Sequence, residues 1–184
     1  MVTPRPCSTR RTGSTLAHNE RYRGEVTKET LIATSLAVTA TAAIGSGASR
    51  TRSQGWFRRL RKPVYVPPAG VFPVAWTTLY GDIAVTSAAA LDRRRAQDDT
   101  AQARALAAAL GANLVLNAAW SWLFFRYRRL GWSAIGAAVL TASSADVARR
   151  IGQADPRAGV AILPYPLWCG FATVMATHIW RLNR

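Results

Sequence analysis

The chain has 184 residues, enough for one ordinary domain, and 49% of them are apolar. Its 24 Lys or Arg against 9 acidic residues give a formal charge of +15, which in a soluble protein points to a polyanion such as nucleic acid. The placement of the charges excludes a nucleic-acid partner: they fall in clusters with nearly charge-free stretches between them, the pattern a bilayer imposes when a charge at its centre costs at least about 2.5–3.5 kcal/mol.

Residues 1–29 read as a disordered basic tail, with six Arg or Lys, scattered Ser, Thr and Pro, and no apolar periodicity. The tail has no acid before Glu20, which also fits an organelle transit peptide. Five apolar spans follow, at about residues 30–49, 71–91, 105–125, 130–148 and 158–180. Each is near the roughly 20 residues that a helix rising 1.5 Å per residue needs to cross a bilayer core. They are rich in Ala and Leu without period-2 alternation, which excludes strands. The expected fold is all-α: residues 30–184 form a five-transmembrane-helix bundle of a multi-pass integral membrane protein.

The connections are short except for residues 50–70. There Pro63, Pro67, Pro68 and Gly70 forbid one continuous helix. Trp56, Phe57, Leu60 and Tyr65 make the segment too apolar for a free linker, so an ordered loop at the membrane interface is expected, where Trp and Tyr are favoured. Arg and Lys divide almost evenly between the two sides, so the positive-inside rule sets no orientation. Small residues at four-residue spacing offer packing faces: Ala37, Thr41 and Gly45; Ala107 and Gly111; Ala137, Thr141 and Ala145.

Three stretches carry a specific resemblance. Residues 62–80 read KPVYVPPAGVFPVAWTTLY; residues 114–125 read LVLNAAWSWLFF, followed by Gly131-Trp132; residues 164–183 read PYPLWCGFATVMATHIWRLN. In order and spacing they resemble the TspO/MBR family of tryptophan-rich sensory and translocator proteins, from about residue 30 to the C-terminus. The resemblance implies a five-helix bundle, often dimeric, with a ligand pocket inside it closed by the first loop. It implies a porphyrin or haem as ligand and requires no cofactor. Translocator, sensor, scavenger and light-dependent porphyrin-degrading roles all come with it. Residue by residue, it places Tyr65, Trp76, Tyr80, Asn117, Trp120, Trp132, Trp168, Phe171 and Ala172 near the pocket. Tyr65 stands where the family commonly has Trp, and the proline of Phe72-Pro73-Val74-Ala75-Trp76 is one step from its usual position. Thr177 occupies the tyrosine position of the mammalian sterol motif, which weakens a sterol reading, although Leu123, Tyr127 and Arg129 fit a loose sterol consensus.

The residues themselves agree with an aromatic pocket. Of seven Trp, Trp76, Trp120 and Trp168 fall within spans, where an indole offers a flat face for stacking and an N–H that wants an acceptor. The same rings also serve to fill gaps between helices. Trp56, Trp122 and Trp180 read as interface anchors or packing. Asn117 should face the interior or a ligand. Asp82 has no cation near it on its own helix, so it should face protein or water, paired with another helix or a first-loop Arg, or take part in proton coupling. Asp146 precedes Arg149 and Arg150 by three and four residues, the spacing of a local helical pair. His178 is either a hydrogen-bonded interface residue or a haem axial ligand. No Ser-His-Asp set, Walker loop or CxxC occurs, Cys7 and Cys169 form no metal spacing, and nothing in the sequence demonstrates an enzyme. A structural membrane partner acting through its basic loops is the reading that needs no pocket.

Overall fold

The computed structural model describes residues 26–48 and 51–184. The basic tail and its targeting reading fall on residues 1–25 and lie outside the described residues but for the last few of the tail. Among the described residues the chain is helical without strands. Helix α1 spans Lys28–Ala48, α2 Thr51–Arg59, α3 Val71–Ala96 and α4 Thr100–Ser121. A π-helical turn, Trp122–Arg126, extends α4, and α5 Leu130–Ala154, α6 Pro156–Ala161 and α7 Pro164–Leu182 follow.

The ends are set by local chemistry. Thr27 Oγ1 accepts from the Thr30 amide (3.4 Å) to start α1. Arg93, Arg94 and Arg95 close α3, where the helix dipole favours cations. Asp98 turns the chain at φ 56, and Asp99 caps α4 by accepting from the Gln102 amide (3.2 Å). At the other side the Tyr127 amide donates to the Trp122 carbonyl (2.9 Å), an i→i+5 bond that widens the turn. Asp155 caps α6 through the Arg157 amide (2.9 Å), with Pro156 in the first turn.

The first loop is half helix: α2 forms where the segment has no proline, and the chain leaves helical geometry before Pro63. The last apolar stretch is likewise two helices, because Pro164 and Pro166 lack the N–H groups a continuous helix would use.

Three stretches are long and apolar enough to cross a membrane: Lys28–Ala48, Thr100–Arg126 and Pro156–Leu182. Helices α3 and α5 are as long but carry more charge, Asp82 and the closing Arg93, Arg94 and Arg95 on α3, and Asp146, Arg149 and Arg150 on α5. The burial pattern extends to all five long helices. Ile32, Leu36 and Ile44 of α1, Val74 and Val85 of α3, Val115 of α4, Ile135 and Val139 of α5, and Leu167 and Val174 of α7 are exposed. Thr34, Thr86, Ser87, Asn113, Asn117, Ser133 and Ser144 are buried. An apolar exterior, over a largely apolar core that also holds these polar groups, is a distribution that lipid accepts and water penalises.

Helix α7 packs most heavily on α5, α5 on α4, and α1 on both α3 and α4, whereas α3 and α7 meet at only a few points. On the α5–α7 seam the Thr141 and Thr173 hydroxyls are 2.9 Å apart and Gly170 lies against Thr141. At the α5–α6 crossing a Cβ on Gly159 would sit 2.4 Å from the Gly152 Cα, so Gly159 needs to be glycine for that approach, whereas a Cβ on Gly152 would lie at an ordinary 3.5 Å from the Gly159 Cα. Of the small-residue faces, Thr41, Gly45 and Ala137 are buried, whereas Ala107, Gly111 and Ala145 face outward.

Candidate functional site

The thin α3–α7 seam is lined by rings. From α3, Trp76 and Tyr80 sit one helical turn apart with ring centroids 5.5 Å apart, tilted by 33°. Phe72, one turn nearer the loop, meets Trp168 of α7 edge-on at 6.1 Å. Trp168 contacts Phe171 at 5.5 Å, and Phe171 contacts Tyr65 of the first loop at 6.1 Å. Ala172 is buried beside them. Rings from three segments thus run along the seam toward the loop.

Its floor is a polar network. The Tyr80 hydroxyl donates to Asn117 Oδ1 (2.9 Å), Asn117 Nδ2 to the Tyr165 hydroxyl (3.4 Å), and Tyr165 in turn to Asn113 Oδ1 (2.6 Å). Asn113 Nδ2 reaches Ser143 Oγ (3.1 Å), so one chain of hydrogen bonds joins α3, α4, α7 and α5. Tyr165, Asn113 and Asn117 are almost completely buried. Without water, each bond removes a polar group that hydrocarbon could not satisfy. Asn113 and Tyr165 were not among the residues expected at the site. Asn113 was legible: it precedes Asn117 by four residues on a charge-free span, hence on the same face.

The first loop is fastened over the loop end of α7. The Arg61 amide donates to Asn183 Oδ1 (3.0 Å) and Asn183 Nδ2 donates back to the Arg61 carbonyl (2.8 Å). Tyr65 Oη lies 2.6 Å from His178 Nδ1. Lys62 Nζ donates to the Phe57 carbonyl (2.9 Å) and sits over the Phe57 ring. Phe57 and Trp56 pack on Phe124, and Phe57 also on Phe72, tying α2 to the rings below. Among the described residues this end carries Arg58, Arg59, Arg61, Lys62, Arg181 and Arg184 and no Asp or Glu, because every described acidic residue but Asp82 lies toward the opposite end. It is therefore a cationic rim.

The other expected residues have these surroundings. Trp120 is buried, donates to the Ser133 carbonyl (3.0 Å) and stacks on Phe124 at 5.5 Å. Trp132 is 64% exposed and makes none of the ring contacts that join the others. The reason is local: Trp132 stands on the outward face of α5 with Ile135 and Val139, whereas Ser133, Ala134 and Ala137 face the core. Trp122 donates to the Ile44 carbonyl (3.1 Å), anchoring the π-turn to α1. Asp146 pairs with Arg149 and Arg150 (2.6 Å for the latter), the local arrangement its spacing implies. Asp82 faces protein: its Oδ2 is buried and has no hydrogen-bond partner among the described residues. At the opposite end Asp92 accepts from the Thr27 amide and the Thr30 hydroxyl, both at 2.7 Å, beside a recess of about 510 Å³ whose lining has no aromatic residue. No group of three or more His, Cys, Asp or Glu is placed to hold a metal among the described residues.

Comparison with known proteins bears on the whole bundle. The TspO/MBR family model matches residues 33–181. The tryptophan-rich sensory protein of Cereibacter sphaeroides is 36% identical over 129 residues, 70% of this chain and 77% of that protein. Protein CrtK of Rhodobacter capsulatus is 30% identical over 128 residues, 70% of this chain and 78% of that protein. The translocator protein of Bos taurus is 29% identical over 140 residues, 75% of this chain and 82% of that protein.

Proposed function

We propose, from the fact that the chain belongs to the TspO/MBR family, that its five long helices all cross the bilayer and enclose a tetrapyrrole site, for porphyrin or haem, between α3 and α7. The chain is a multi-pass integral membrane protein. The observation that carries the ligand reading is the seam itself: α3 and α7 meet at only a few points, rings from both and from the first loop run along it, and a cationic rim borders it. A flat macrocycle gains stacking and apolar burial against Trp76, Trp168 and Phe171. Its carboxylates match guanidinium groups, and the pinned loop excludes water from above. A role as translocator, sensor or scavenger follows from such binding. A second copy fits the outward face of α4, where Ala107 and Gly111 permit close approach.

Titration of the detergent-purified protein with protoporphyrin and haem tests the ligand. Saturable quenching of Trp fluorescence at one ligand per chain is expected, and its absence for both contradicts the reading. Product analysis after illumination separates binding from porphyrin breakdown: intact porphyrin supports a binder, and a bilin-like product supports an enzyme. The five crossings have their own test. With Cys7 and Cys169 replaced by Ser, single cysteines at Arg128 and Asp155 should label from opposite membrane faces. Labelling from the same face would mean that α5 does not cross.

A further inference from the structure

The Tyr65–His178 pair has a property that stacking does not use. Tyr65 hangs from the loop, 44% exposed, at the rim end of the ring row that runs through Phe171 and Trp168. Its oxygen is 2.6 Å from His178 Nδ1. With His178 in its Nε2–H tautomer, the phenol donates to a nitrogen that can take its proton. A phenolate is a hard oxygen donor suited to iron(III), and tyrosine is one of the established axial ligands of haem iron. Phenylalanine or tryptophan at position 65 would supply the ring without the oxygen.

We infer that Tyr65 is an axial ligand for the iron of a ferric tetrapyrrole, with His178 as the positioning base that receives its proton. The inference rests on the tetrapyrrole reading above and narrows it to an iron(III) macrocycle. The Tyr65 oxygen forms the bond to iron as its O–H proton passes to His178 Nδ1, and the water formerly on the iron leaves. No electron is transferred and the iron remains ferric. In that tautomer His178 is not itself the ligand: its Nδ1 is engaged by Tyr65 and its Nε2 carries the ring hydrogen, so neither nitrogen offers iron a lone pair. The pair lies close in sequence to Arg61 and Arg181, whose side chains make no ion pair among the described residues. Propionates extending from the same macrocycle would meet cations there.

The experiment uses the full chain in detergent, iron(III) protoporphyrin IX and metal-free protoporphyrin IX, and the variants Tyr65→Phe and His178→Gln. The parent's ferric complex should show the absorption, electron-spin and resonance Raman signature of phenolate-bound high-spin iron. Tyr65→Phe should abolish that signature and weaken ferric binding by about tenfold or more, while metal-free porphyrin binds as to the parent. His178→Gln should keep the signature and weaken ferric binding by roughly tenfold, the usual effect of losing a residue that orients a ligand. A parental spectrum and affinity in Tyr65→Phe overturns the inference. So does an imidazole-type spectrum lost in His178→Gln alone, and so does equal weakening toward both macrocycles in Tyr65→Phe, which would make Tyr65 a wall of the pocket. If the parent binds neither macrocycle, the tetrapyrrole reading itself fails; if it binds both without the phenolate signature, only the axial role does.

Discussion

Helix α7 meets its two neighbours with different materials. Toward α5 it offers Gly170 and Thr173, and α5 answers with Thr141, so the backbones come close and the hydroxyls bond. Toward α3 it offers Trp168, and α3 answers with Phe72, rings whose centroids stand 6.1 Å apart. Small residues close a seam in lipid because dispersion between backbones replaces the hydrophobic drive that lipid does not supply. Large rings meet edge-on across the other seam, where the two helices touch at only a few points. On the function proposed above, the first seam holds the bundle together and the second takes the ligand, so damage to the two should appear in different measurements.

The largest loss of stability is expected at the small-residue side. Gly159→Val puts a branched side chain where even a Cβ would lie 2.4 Å from the Gly152 Cα. Forcing α5 and α6 apart should cost about 3 kcal/mol, read as a lowered thermal midpoint in detergent. Asn113→Ala comes next. It strands the buried Tyr165 hydroxyl with only the 3.4 Å contact to Asn117, a loss of about 1–3 kcal/mol in the same assay. Thr173→Val removes the bond to Thr141 while keeping the shape, and about 0.6 kcal/mol is expected, in line with interhelical hydrogen bonds measured in membranes. If Thr173→Val proved as damaging as Gly159→Val, the division of labour between hydrogen bonding and close approach would be wrong.

Much of this arrangement is legible in the sequence, and the illegible parts have physical causes. Charge-free runs locate α1 and α4, and prolines locate the break after α2, because both effects are local. Asp146 shows its Arg partners by spacing alone. Three-dimensional facts are hidden: α5 continues to Ala154 past its charged turn because Val147, Ala148 and Ile151 are buried there. Tyr165 is visible as part of a motif, but its role depends on Asn113 and Asn117 of another helix. Trp120 and Trp132 look alike in a tryptophan-rich stretch. One finds a carbonyl acceptor inside the bundle and the other stands on the outward face of α5 with Ile135 and Val139.

The central claim is that the α3–α7 seam receives the ligand, and comparing three tryptophan variants tests it most directly. Trp76 and Trp168 line the seam, whereas Trp180 packs on Gly131 at the rim, 36% exposed, beneath the Arg184 guanidinium. Porphyrin affinity should fall by about fivefold to two hundredfold in Trp76→Ala and Trp168→Ala, the equivalent of roughly 1–3 kcal/mol for a lost stacking aromatic. Trp180→Ala should bind as the parent does. Parental affinity in all three folded variants would contradict the account, and weakening in Trp180→Ala alone would move the site to the membrane surface.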